Sequence, residues 1–113
     1  MSQAEIARDI IAQYARHGWK LERVLMRSAT HAELESVFTE VFGAAVFVES
    51  EVDALWFARP SHAQREAWEL RLISEQPFAL FEAFEADEND EEREDVRREM
   101  VNRMREHAHG QKS

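Results

Sequence analysis

Residues 44–73, AAVFVESEVDALWFARPSHAQREAWELRLI, decide the fold. Short runs rich in Val, Phe, Trp and Leu, parted by turn-prone residues, carry the strand signature. Residues 46–48 and 52–59 flank Glu49-Ser50-Glu51, and residues 59–65 interrupt before a third run over 66–73. Pro60 has a fixed φ and no N–H to donate, which assigns it to the loop rather than to a strand. Side chains on a strand alternate between faces, so Val52, Ala54, Trp56 and Ala58 lie opposite Asp53, Leu55, Phe57 and Arg59. In the third run Trp68, Leu70 and Leu72 oppose Ala67, Glu69, Arg71 and Ile73. The register that sets Trp56 and Trp68 on one face makes that face wholly apolar and gathers Asp53, Glu69 and Arg71 on the other. A slip of one residue would scatter Asp53 among leucines, so the first register is preferred.

Upstream, Ser2 and Glu5 form a capping box, followed by Ile6, Ile10 and Tyr14 at four-residue steps with Ala7 and Ile11 beside them. Gly18 supplies a left-handed stop, which predicts an amphipathic helix over 3–17. Residues 19–26 alternate as a first strand, with Trp19, Leu21, Arg23 and Leu25 against Lys20, Glu22, Val24 and Met26. Thr30 and Glu33 repeat the capping box, Leu34, Val37, Phe38 and Val41 give a second stripe, and Gly43 closes it. Downstream of a turn at 74–77, residues 78–85 (FALFEAFE) suit either a strand or a helix with Pro77 at its first position. The strand reading is preferred and puts Phe78 and Leu80 opposite Ala79, Phe81 and Ala83. Asn89 and Glu92 offer a third cap, and Val96, Met100 and Met104 give a narrow stripe on a helix that runs to about His107, with a frayed end over 110–113. Glu94–Arg98 and Glu99–Arg103 are i,i+4 pairs of the favourable order on that helix.

The order α-β-α-β-β-β-β-α predicts a single α+β domain over 1–113. Its sheet is mostly antiparallel, with four to five strands and helices packed on one face. The 113 residues are 44% hydrophobic and 33% charged, as befits a globular chain with a real core. No apolar run reaches the roughly 20 residues that span a bilayer, the N-terminus lacks a signal-peptide pattern, and no cysteine is present, so the expected compartment is the cytoplasm. A net charge of −9 argues against general nucleic-acid binding. Residues 87–99 hold eight of the acids against three arginines, so the rest of the chain is nearly balanced, and twelve of the fourteen cations are arginine.

Asp53 with Glu69-Leu70-Arg71 is the sharpest chemical pattern. A strand bearing Asp followed by one bearing Glu-x-Lys resembles the metal-dependent core of restriction-endonuclease-like nucleases, with Arg71 standing where that family carries lysine. The resemblance implies Asp53 and Glu69 as Mg²⁺ ligands, Arg71 as a stabiliser of the transition state, and phosphodiesters as substrate. The competing reading, which is preferred, is a cross-strand Asp53–Arg71 ion pair with Glu69 on a solvated face, since Glu-x-Arg is common on any strand. His107-x-His109 is a weak metal-ligand pattern, and the preferred reading is that both imidazoles favour a helix C-terminus, as His17 does beside Gly18; His31 near a helix start and His62 in the Pro60-Ser61 loop carry no motif. Three glycines, two of them helix stops, leave none for a phosphate cradle. Trp56 and Trp68, with Phe57 and Phe78, either line an apolar pocket or form core under a helix, and core is the commoner use. The leading expectation is therefore a non-catalytic binding or interaction module without a cofactor. A homodimer fits it, joined through an exposed edge strand or the Met stripe. A metal-dependent phosphodiesterase and a small apolar-ligand pocket are the alternatives.

Overall fold

The first helix, α1 (Gln3–Ala15), begins where the capping box places it: the Ser2 hydroxyl accepts from the Glu5 N–H at 3.2 Å. The chain turns out of it through Gly18, at a positive φ of 81° that side-chain-bearing residues rarely adopt. These elements belong to a computed structural model that describes residues 2–60, 65–85 and 87–110. His62 and the tip of the loop after Pro60 lie outside the described residues, as does most of the C-terminal tail expected to fray.

Strand β1 (Lys20–Met26) leads into α2 (Ser28–Leu34), a 3₁₀ turn (Glu35–Val37) and α3 (Phe38–Phe42). The single second helix expected from its stripe is thus broken. Leu34 (φ −99°, ψ 3°) and Val37 (φ −114°, ψ 5°) leave the helical region. The bend brings both Leu34 and Phe42 into the core. The Thr30–Glu33 capping box does not form either. Arg27 occupies the cap position without a side-chain cap bond, and the Thr30 hydroxyl donates instead to Asp53 at 2.9 Å.

Four strands follow: β2 (Val46–Glu49), β3 (Ala54–Pro60), β4 (Glu66–Leu72) and β5 (Ala79–Phe84). Residues 78–85 are thus strand, as preferred, whereas Pro60 closes β3 rather than lying in the loop. It pairs with Glu66 at the strand end, where a missing N–H costs least. Helix α4 (Asp90–Gly110) starts on Asn89, whose Oδ1 accepts from the Glu92 N–H at 2.8 Å. No helix among the described residues is long and apolar enough to cross a membrane.

The sheet has the order β2-β1-β3-β4-β5 and is antiparallel except for β1 and β2. Those two run parallel because α2 and α3 form the crossover between them. Trp56 faces Leu70 and Ala58 faces Trp68 across β3 and β4, so the two tryptophans do share an apolar face.

The fold is α+β, but the helices do not share one face of the sheet. Trp56, Trp68, Leu70, Leu80 and Phe84 pack with Met100 and Met104 of α4, while Leu55 and Phe57 pack with Ala7, Ile10 and Phe42 on the other side. Phe57, grouped with the tryptophans from sequence, therefore lies opposite them. The reason is visible in β3 and the residues before it: positions 52–58 are buried at both parities, as a central strand covered on both faces must be. A register shift between Leu21 and Arg23 adds a second correction. One extra residue at a bulge exchanges faces, so Leu21 packs with Val24 and Met26 rather than with Leu25.

Candidate functional site

Asp53 is 7% exposed and surrounded by donors. Its carboxylate accepts from the Arg27 backbone N–H at 3.0 Å, from Arg27 Nε and Nη2 at 3.2 and 2.9 Å, from Thr30 Oγ1 at 2.9 Å and from Gln3 Nε2 at 3.4 Å. The hydrogen bond and charge of Asp53 in turn hold the Arg27 guanidinium above its ordinary proton affinity. The partner of Asp53 is thus Arg27, not Arg71. The correction follows from sheet position: Asp53 lies opposite Ile73, whose N–H donates to its carbonyl, and Arg71 lies opposite Leu55.

Glu69 lies opposite Phe57, four residues along the strand from Asp53 and on the same side of the sheet. At the usual strand rise that is about 13 Å, too far for two carboxylates to share one cation. Asp53 and Glu69 are not brought together, and no group of three metal-ligating side chains occurs among the described residues. Glu69 is also not on a solvated face. It is half-buried and accepts a hydrogen bond from the Tyr14 hydroxyl, while Arg71 Nη1 donates to the carbonyl of Leu72. Burial, and then the hydrogen bond and charge of Glu69, push the Tyr14 phenol well above its ordinary range.

Trp56 and Trp68 meet edge to face at 5.2 Å and are closed over by α4. The Arg97 guanidinium lies 4.5 Å above the Trp68 ring and 5.7 Å from that of Trp56. Phe78 stacks on His107 at 3.4 Å instead of joining a pocket with them. Trp68 is core. Trp56, nearer the end of the α4 cover, also reaches a small cavity of about 230 Å³ beside Arg23 and Val48.

Both borders of the sheet, β2 and β5, are partly uncovered. Helices α1 to α3 lie over β1 to β3, and α1 reaches β4 through Tyr14, which stacks on Phe57 at 4.1 Å. Beyond that, Phe81 is 55% exposed with exposed Ala79 and Ala83 on either side. Trp19 stands edge-on to Phe81 at 6.3 Å, held by the Arg59 guanidinium 4.5 Å above its ring. An open groove of about 470 Å³ runs from Trp19 past Tyr14 and Glu69 to Gln13. Sequence reasoning placed Phe81 on the correct face but had no measure of how far α1 would extend over it. The signal available was the polar Glu69 and Arg71 on the neighbouring strand, since a fully covered face would be apolar there too.

Hydrogen bonding makes the β5 border an open edge. Leu72 donates to the Phe78 carbonyl, so the even-numbered residues of β5 turn their N–H and C=O groups to β4. Ala79, Phe81 and Ala83 turn theirs outward, and no strand among the described residues pairs with them. Comparison with protein-family models, with curated proteins and with solved structures returns no match for this chain.

Proposed function

We propose that the chain is a non-catalytic interaction module of the cytoplasm that works as a homodimer, pairing its β5 edge with that of a second copy. The observation that carries this reading is the outward row of backbone groups on Ala79, Phe81 and Ala83, with an exposed Phe81 at its centre. A strand edge with unpaired groups and an apolar side chain is a template for another strand, and natural edges that stay unpaired are blunted by lysine, proline or bulges. Residues 79–84 (ALFEAF) have none of these.

The pairing is self-complementary. A two-fold axis through Phe81 sets it against its own copy, and sets Ala79 against Ala83 of the second copy. Roughly six backbone hydrogen bonds result. The phenylalanines then meet on one face with small residues beside them, and Glu82 faces Leu80 of the second copy rather than another glutamate. The ten-stranded sheet so formed has its α4 helices on one side and its α1 to α3 layers on the other.

Sedimentation equilibrium tests this with two variants. Phe81→Lys places a charge at the contact, and Ala83→Pro removes an outward N–H that β4 does not use. Wild type should sediment as a dimer and both variants as monomers, with far-ultraviolet dichroism unchanged. A wild-type monomer throughout the micromolar range would overturn the reading.

A further inference from the structure

The face of the sheet under α4 is covered unevenly. The helix packs over β4 and β5, and towards β1 and β2 it leaves the cavity of about 230 Å³. Its floor is Leu25, Val48 and Trp56, with Val101 of α4 as the wall. Glu94, Arg97, Arg98 and Asn102 of the same helix also line it, and Arg23 joins them from β1. Arg23 pairs with Val46 on one side and Trp56 on the other, is half-buried, and makes no side-chain hydrogen bond or ion pair among the described residues.

A cation drawn halfway out of water with no counter-charge is unfavourable, and Arg23 lacks even the carbonyl acceptor that Arg59 and Arg71, also half-buried without a carboxylate, each have. Arg27, Arg65, Arg93, Arg97, Arg98 and Arg105 all have carboxylate partners. Arg97 lines the same cavity. Its Nη1 is taken by Glu94 at 2.5 Å, but its Nε is buried without a partner. Arg23 thus brings unused N–H donors to the hollow, and Arg97 and Arg98 set two further positive charges there against the single carboxylate of Glu94, in a protein whose net charge of −9 would otherwise repel anions.

We infer that this cavity binds a small carboxylate carried on a flat apolar body, of the chemical class of an aromatic acid. The carboxylate pairs with Arg23, whose guanidinium can present two parallel N–H groups to it, and it lies within the field of Arg97. The ring lies against Val48 and Val101, above the buried Leu25 and Trp56. The volume limits the ligand to a single ring or a short chain, because sites for larger ligands occupy ~300–1,000 Å³. Val46, the register partner of Arg23 on the outermost strand, is 61% exposed. The cavity lies on the β2 side of the sheet, so it stands or falls independently of pairing through β5.

Benzoate is the probe, benzamide its neutral counterpart, and the readout is the Trp56 indole N–H signal in ¹H–¹⁵N spectra of the labelled chain. Benzoate should shift that signal saturably. Benzamide should bind at least about tenfold more weakly, as should benzoate to Arg23→Gln, because a charge-assisted hydrogen bond is lost in each case. Arg23→Gln should melt no lower than wild type, since it removes an unpartnered cation, whereas a purely structural arginine would lower the melting temperature. Val101→Phe keeps every charge and narrows the hollow, and it should also abolish the shift. Equal binding of benzamide, undiminished benzoate binding by either variant, or no saturable response in wild type would each overturn the assignment.

Discussion

Tyr14 joins two kinds of contact in one side chain. Its ring stacks on Phe57 at 4.1 Å and its hydroxyl donates to the half-buried carboxylate of Glu69. Burial, the hydrogen bond and the negative charge all oppose ionisation of the phenol in the folded state. In the unfolded chain the phenol titrates near its ordinary value of about 10, so above that pH the unfolded state loses a proton that the folded state keeps. The stability contributed by the raised affinity is therefore complete below about pH 10 and is lost as the pH rises beyond it. The chain has one tyrosine, so the phenolate absorbance band reports this residue alone. That band should stay absent in the folded protein until the pH at which global unfolding sets in. Tyr14→Phe keeps the stacking and removes the hydroxyl, so it should cost about 1 kcal/mol near neutral pH and flatten the fall in melting temperature above pH 10. A phenol titrating near its ordinary value while the fold persists would contradict the contact with Glu69.

Among elements, Asp53 acts as a clasp. It leads into β3 and takes donors from Arg27 and Thr30 of the α2 entry and from Gln3 of α1. Asp53→Asn removes the charge from a group buried among donors and leaves Arg27 without its partner. An expected loss of about 2–4 kcal/mol follows, read as a lower urea midpoint at unchanged slope. Loss of a Mg²⁺ response on that substitution, with no loss of stability, would instead restore the metal reading. Local signals made much of this level legible in the sequence. The caps at Ser2 and Asn89, the stops at Gly18 and Gly43 and the turn-bounded runs that became β3 to β5 depend on near neighbours alone. Three features needed the assembled sheet. Thr30 looked like a cap until Asp53, distant in sequence, competed for its hydroxyl. The exchange of faces in β1 came from a bulge that no residue between Leu21 and Arg23 announces. The second helical layer was foreshadowed by Val52, Ala54, Leu55, Trp56 and Phe57, apolar at both parities, but one amphipathic face satisfies a two-layer arrangement equally well until the positions of the helices are known. The same limit hid the candidate site: Arg23 gains its significance only from what α4 leaves uncovered.

For the whole molecule, charge opposes the proposed assembly and thereby gives it a signature. Each copy carries −9, and Glu82, Glu85, Asp87 and Glu88 lie in or just after the pairing strand. Joining two such chains along β5 brings like charges together, while the attraction comes from backbone hydrogen bonds and the paired Phe81 rings, which salt barely screens. Screening shortens the range of the repulsion from about 10 Å at 0.1 M salt to about 3 Å at 1 M. Dimerisation should therefore tighten as sodium chloride is raised, and the dissociation constant from sedimentation should fall accordingly. An interface built from ion pairs, such as acidic residues of α4 against arginines of a second copy, has the opposite dependence and would loosen over the same range. Phe81→Lys sharpens the distinction, because it lessens the repulsion yet destroys the apolar contact. Under strand pairing it should stay monomeric at every salt concentration. Under a charge-driven interface elsewhere it should dimerise as wild type does.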